Sequence, residues 1–212
     1  MSKISLKHSG GNVVSLNSPT SAPTSADVAF KLPNADGSAG QFMKTDGSGN
    51  FSFANSGITM ADMWRINADF TASGSSLTDI TANLERIDSY GFGQLGTGMT
   101  QSSGVFSFPS TGIYHINFHL MCQSVYGEVD YHFAYILTTT DNSNYNNAAL
   151  TVQEAQGTDH RYSMNVNFIF DVTNTSTHKV KFANYASRDD QKCFGQTNQT
   201  ETSFTFLRLG DT

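Results

Sequence analysis

Six histidines and two cysteines are the side chains of this 212-residue chain whose types invite chemistry first. His115 and His119 fall on one face of an alternating stretch, and His132 lies in the next such stretch. Three imidazoles on neighbouring strands make the donor set of an open zinc site. No carboxylate motif or His-x-His pair accompanies them, so the plainer reading is a polar outer face. Asp159-His160-Arg161 sets an acid, an imidazole and a cation side by side, in a Gly- and Asp-containing segment that reads as a solvated turn. Asp189-Asp190 and Glu128 with Asp130 offer paired hard oxygens in loop sequence, the ligands that Ca²⁺ takes. Their bland reading is solvated loop charge, and no cofactor is expected. Cys122 falls on the apolar face of its stretch and reads as a buried reduced thiol; a disulfide with Cys193 stays open for a chain that leaves the reducing cytosol. No Gly-x-Ser-x-Gly elbow, Walker loop or Cys-x-x-Cys occurs. These residues point away from an enzyme.

The elements that must position these groups announce themselves by alternation. From Ile113, the side chains of Tyr114, Ile116, Phe118, Leu120 and Cys122 point one way, and Ile113, His115, Asn117, His119 and Met121 the other. A period of two over ten residues is a strand with one face in a core. Phe106 and Phe108 alternate just before it, and Pro109-Ser110-Thr111-Gly112 supplies the break. Tyr131, Phe133, Tyr135 and Leu137 share one face of a second long strand, and Met164, Val166, Phe168 and Phe170 one face of another. Strands are expected at 105–108, 113–122, 130–139, 149–153, 162–172, 179–185 and 203–209, with one face of another carrying Trp64, Ile66, Ala68 and Phe70. Leu77, Ile80, Leu84 and Ile87 fall at helical spacing and suggest a short helical turn, and the glycine-rich stretch 91–104 reads as a loop. Many short strands with polar turns and no long helix make an all-β antiparallel sandwich.

Residues 1–62 differ from the rest. The first 26 are rich in Ser, Gly, Asn, Pro and Thr, with Val13, Val14 and Leu16 as the apolar patch, and read as a tail or an extended segment held by something else. Val28, Phe30 and Leu32 then alternate. Small hairpins are expected around Asp36-Gly37-Ser38 and Asp46-Gly47-Ser48, between which Phe42 to Thr45 forms a strand and after which Phe51 and Phe53 alternate. The segment 56–63 is the junction, giving an arm at 1–62 and a globular domain at 63–212.

Charge narrows the function. The net charge is -6 and only 14% of residues are charged, against about 25% in an ordinary globular domain. A chain without a basic face does not displace the counterions of nucleic acid. No apolar run is long enough to span a membrane and the N-terminus lacks a signal-peptide core, so neither insertion nor Sec-type secretion is expected.

Two resemblances follow. Phe106-Ser107-Phe108-Pro109 with Gly112-Ile113-Tyr114-His115-Ile116-Asn117-Phe118 resembles the strand pair of the globular heads of complement's first component, within the tumour-necrosis-factor-like trimers. Ser203 to Leu209 looks like that family's last strand and Trp64 to Phe70 like its first. The resemblance implies a jelly-roll knob over 63–212 and a homotrimer closed through aromatic faces, to which Tyr114, Phe118, Tyr131, Phe133, Tyr135, Phe204 and Phe206 are assigned as trimer or core residues. Phe30-Lys31-Leu32-Pro33 through Asp36-Gly37-Ser38, Gln41-Phe42-Met43-Lys44-Thr45-Asp46-Gly47-Ser48-Gly49 and Phe53 is similar to a segment near the start of tail-fibre and head-fibre proteins of tailed bacteriophages. That implies a non-enzymatic virion protein, assembled in the host cytoplasm and displayed on the virion surface. Val13, Val14, Leu16, Val28, Phe30 and Leu32 would attach it to a capsid or tail protein. The outward loops 126–128, 142–147 and 188–196, with Tyr126, Asn144, Tyr145, Arg188 and Asp190, would contact host glycan or envelope protein. A capsid fibre is the expectation, and a tail-fibre receptor-binding adhesin the alternative.

Overall fold

The structure is a computed structural model that describes residues 3–17, 19–21, 29–55, 57–125, 127, 129–189 and 191–212. Val28, Tyr126, Glu128 and Asp190 lie outside these, as do the side chains of Val14 and Asp130. The chain divides into two units, 1–56 and 57–212.

The first unit holds two antiparallel hairpins. β1 (Lys3–Lys7) pairs with β2 (Val13–Asn17), so part of the stretch read as a tail or an extended held segment is a hairpin turned at Gly10-Gly11. β3 (Gln41–Thr45) pairs with β4 (Phe51–Asn55) as expected. The Asp46 carboxylate closes the second turn by accepting from the Ser48 and Asn50 amides at 2.8 and 3.1 Å. The Asn50 side chain and these amides hold that carboxyl below its ordinary value. Phe30 and Leu32 form no strand; Lys31 bridges Asn50, and the Phe30 ring lies 5.2 Å from that of Phe51.

The second unit is a two-sheet sandwich. Its strands are β5 (Met60–Ile66), β6 (Ala68–Ala72), β7 (Thr78–Asp79), β8 (Leu84–Arg86), β9 (Thr100–Ser102), β10 (Val105–Ser107), β11 (Gly112–Gln123), β12 (Val129–Thr139), β13 (Asn146–Ala155), β14 (Arg161–Val172), β15 (Lys179–Ala186), β16 (Gln191–Gln196) and β17 (Ser203–Gly210). One sheet runs β6-β16-β11-β17-β5-β8 with β14 along the other edge of β11; the other runs β13-β12-β15-β10-β9 with β7 on β15. Pairing is antiparallel throughout the named strands. Most sheet neighbours are distant in sequence, because the chain changes sheet at connection after connection.

The alternation of β11 is realised without a break, every second residue from Gly112 to Cys122 being buried. At the centre of the core Phe106 packs against four rings, Trp64 at 5.5 Å, Phe182 at 5.5 Å, Phe204 at 5.8 Å and Phe206 at 5.2 Å. Edge-on and tilted contacts of this kind suit the ring quadrupoles.

Three expectations are corrected. Trp64 to Phe70 is two strands, since the chain leaves β17 after Ile66 and joins β16 from Ala68. The helical turn at 77–87 is absent: β7 and β8 lie there, Asn83 between them is left-handed at φ 59°, and β8 takes the free edge of β5. Residues 191–196 are a strand, not an outward loop, with Gly195 so close to Ile66 that a Cβ would overlap it.

The segment after β8 is held by buried charge. Asp62 accepts from Trp64 Nε1 at 3.0 Å, the Met99 amide at 2.7 Å and Arg86 Nε at 3.0 Å. Arg65, 1% exposed, donates to Glu85, Asp88 and Ser89, each at 2.8 Å. Such pairs are costly to break singly, because the survivor is left buried and unpaired.

Replacing Phe106 with Ala removes the ring that touches both sheets and leaves a cavity. We expect a loss of about 3–5 kcal/mol in urea unfolding of the full chain; a change below about 1 kcal/mol would show that the ring cluster does not set stability.

Candidate functional site

The side chains with chemical potential do not gather where the sequence placed them. His115 and His119 do lie on the outer face of β11, where His115 Nε2 meets Asn167 Oδ1 at 3.1 Å and His119 Nδ1 meets the Glu201 carbonyl at 2.8 Å. His132 is on the opposite sheet and fully buried, facing inward beside Ala134 and Ile136. The three-histidine zinc set is therefore not assembled, and the polar-face reading of His132 is corrected.

His132 belongs to a different cluster. Its Nδ1 is 2.8 Å from Tyr162 Oη and its Nε2 3.3 Å from Asn184 Oδ1. Asn184 Nδ2 points at the Thr78 carbonyl, which turns Oδ1 toward the ring; Nε2 then carries the proton and Nδ1 keeps its lone pair for the Tyr162 hydroxyl. Burial disfavours the cation, lowering the imidazole pKa to about 4, with the Asn184 hydrogen bond opposing it weakly. Burial pushes the Tyr162 phenol up. Beside them, Cys122 and Cys193 stand directly opposite one another on β11 and β16 and are joined as a disulfide. The reduced thiol read from sequence is thus corrected; a one-strand pattern could place Cys122 inward but could not reveal its partner.

The aromatic residues split. Tyr114, Phe118, Phe204 and Phe206 are fully buried between the sheets. They are core and offer nothing to another subunit. Tyr131, Phe133 and Tyr135 lie on the outer face of β12, their rings 5.6 and 5.8 Å apart in sequence. Tyr185 of β15 stacks on Tyr131 at 6.1 Å and 17°. In register on β13 stand Val152 beside Phe133 and Leu150 beside Tyr135, each 49% exposed. The result is an uncharged aromatic-aliphatic face. The outer face of β11 and β14 is its opposite, a ladder in which Asn117 donates to Asn165 at 2.8 Å next to the His115–Asn167 pair.

The loop residues are more tied down than a free binding loop. Asn144 donates to Asp141 from its amide and its side chain, both at 2.7 Å. With Thr139 and Ser143 these bonds hold the Asp141 carboxyl far below the ordinary carboxylate range. Tyr145 carries the Lys181 ammonium 4.1 Å above its ring, and Lys181 pairs with Asp79 at 3.0 Å. Arg188 is exposed, and Asp189, a Ca²⁺ candidate, is engaged by the Gly74 amide at 2.7 Å. Asp159 accepts from Gln123 at 2.9 Å, while Arg161, at the start of β14, lies 4.7 Å over the Phe194 ring, so the side chains of Asp159 and Arg161 are engaged by different partners.

No protein-family model and no curated relative matches the chain. Solved structures do. Over 74% of this chain and 96% of its own, Eiger TNF from S. frugiperda superposes with a TM-score of 0.55 at 12% identity. Murine APRIL covers 71% of this chain and 98% of its own, with a TM-score of 0.52 at 11% identity. A bacteriophage protein, PRD1 vertex protein P5, overlaps more loosely at 0.43 and 14% identity, below the level of a shared fold.

Because His132 is neutral in the fold yet titrates near 6.5 when unfolded, the unfolded chain takes up the proton first as pH falls. Its contribution is complete above pH 6.5 and is lost toward pH 4, about 3 kcal/mol for that gap. Urea unfolding at pH 7.5, 6, 5 and 4.5 should show the decline, and His132→Gln should flatten it; equal slopes in both proteins would remove His132 as the cause. Taken together, the fold of this chain is the tumour-necrosis-factor-like jelly roll.

Proposed function

We propose that the protein is a non-enzymatic structural protein of a bacteriophage virion, a short trimeric knob held to the capsid by its N-terminal unit. The observation that carries this reading is the contrast between the two units. The sandwich closes over its own core, whereas the arm leaves its apolar side chains in solvent: Leu16 and Leu32 are each 74% exposed, and Ile4, Leu6, Val13, Phe30, Phe42 and Met43 are also exposed. Apolar surface of this kind is what a partner covers. The fibre-like Phe30–Phe53 segment names the class of partner, a capsid or tail protein. Trimer formation rests on the likeness of the sandwich to tumour-necrosis-factor-like proteins, three weak contacts then acting by avidity.

A second reading, a tail-fibre adhesin for host glycan or envelope protein, is favoured by one observation, the uncharged Tyr131–Phe133–Tyr135–Tyr185 face. Aromatic rings with hydroxyl tips make adaptable contacts at low entropic cost. In the first reading this face packs between copies; in the second it stays free.

Gold-labelled antibody against residues 57–212, applied to phage particles that carry the protein, should decorate the head. Decoration of the tail would favour the adhesin, and bare particles would overturn both readings. Sedimentation of the full chain at micromolar concentration should give three times the protomer mass. Tyr131→Ser with Tyr135→Ser should dissociate that species if the face lies between copies, and should leave it intact while abolishing cell adsorption if the face is adhesive. A wild-type monomer would remove the trimer.

A further inference from the structure

We propose that the protein in its reduced state binds one zinc ion through Cys122, Cys193 and His132, at a buried site that the disulfide replaces on oxidation. The geometry comes from both sheets. Cys193, Cys122 and Tyr162 form one row across β16, β11 and β14, in register. From the facing sheet β12 brings His132 down onto that row. One donor atom from each of Cys122, Cys193 and His132 lies within 4.8 Å of the others, and all three residues are fully buried. Zinc bonds of about 2.0–2.3 Å place tetrahedral donors roughly 3.3–3.8 Å apart.

The chemistry of the donor set fits zinc. The imidazole is neutral, and its Nδ1 lone pair takes the hydrogen bond of Tyr162 Oη, whose residue is the third member of the row. Its Nε2–H is held by Asn184, which in turn is held by the Thr78 carbonyl. A ligating histidine whose other nitrogen donates to an oriented acceptor is the usual second layer of a metal site. The Tyr162 hydroxyl, 2.8 Å from Nδ1, is at hand for the fourth position.

Electrostatics favours the ion over free thiolates. Two thiolates in this interior are two buried like charges, which the surroundings do not compensate. Zn²⁺ with two thiolates and a neutral imidazole carries no net charge. Binding releases the two thiol protons to solvent and involves no electron transfer. The disulfide and the ion are exclusive, because the S–S bond consumes both sulfur ligands. They also do different mechanical work: the disulfide joins two strands of one sheet, while the ion ties both of them to β12 of the other.

Untagged full-length protein is reduced with a phosphine and titrated with Co²⁺, then with Zn²⁺. We expect uptake of one Co²⁺ per chain, a near-ultraviolet thiolate-to-cobalt band with intense visible bands of tetrahedral cobalt, and displacement by Zn²⁺. The oxidised protein, and Cys122→Ser and Cys193→Ser, should show none of these. His132→Gln, which keeps both sulfurs, should bind at least tenfold more weakly and shift the visible bands. Zinc should raise the melting temperature of the reduced wild-type protein and not that of the oxidised one. A reduced wild-type protein without the charge-transfer band, a His132→Gln variant with unchanged affinity, or a reduced protein that zinc does not stabilise would each overturn the proposal.

Discussion

The fold depends on a short strand carrying one ring to a place that two sheets must share. β10 is three residues long, yet its Phe106 meets Trp64 of β5, Phe182 of β15 and both Phe204 and Phe206 of β17. Those residues come from the start, the late middle and the end of the sandwich. No local segment can assemble that cluster alone, so the sheets close together or not at all. Non-local pairing of this kind makes folding slow for its size. It also fixes which side chains are spent: once the inner positions of β10, β11, β15 and β17 are committed to the core, only the outer positions and the sheet ends remain for work.

Long, uninterrupted alternation was legible because it reports burial directly. Over twelve residues each, β11 alternates buried with half-buried positions and β14 buried with mostly exposed ones, and their limits could be read within a residue or two. The phase of β12 was harder. Its larger rings, Tyr131, Phe133 and Tyr135, look like the buried set, yet the smaller Ala134 and Ile136 with His132 fill the core and the rings stay outside. Residue size does not decide which face is inward when both faces hold apolar groups. β16 was hidden for another reason. Its pairing with β6 shifts between Cys193 and Gln196, so Cys193, Phe194 and Gly195 are buried in succession and no period of two survives. β8 is three residues that exist as a strand because β5 offers an edge and Arg65 and Arg86 find carboxylates there. That information is tertiary. The first hairpin carried a signal that composition masked: Ile4 and Leu6 alternate between lysines, and Gly10-Gly11 supplies the turn.

The site was less legible than the fold. Cysteine spacing in the chain says nothing about registry, and Cys122 and Cys193 face each other because β16 extends the sheet where β17 has stopped pairing with β11. His132 reaches them from the other sheet, a relation that no strand-by-strand pattern contains. Its burial also explains its chemistry, since a desolvated neutral imidazole with one nitrogen proton fixed is a ligand or a hydrogen-bond acceptor and not a charge carrier.

The two outer faces of the sandwich then separate structure from contact. On β11 and β14 the polar groups answer one another, Asn117 with Asn165 and His115 with Asn167. A partner would have to break these pairs or match them, which gives selectivity but little driving force. On β12, β13 and β15 the outward Tyr131, Phe133, Tyr135, Tyr185, Leu150 and Val152 form a patch of rings and aliphatic side chains, whose removal from water is favourable whatever covers them. Covering such a face needs shape more than charge, in keeping with a chain in which only 14% of residues are charged. The arm extends the same logic: its hairpins are short, their apolar side chains point into solvent, and two-stranded ribbons of this size are marginal alone. A surface that covered those side chains would contribute to the unit's stability as well as its location, so in the proposed attachment binding and folding of that unit are one equilibrium.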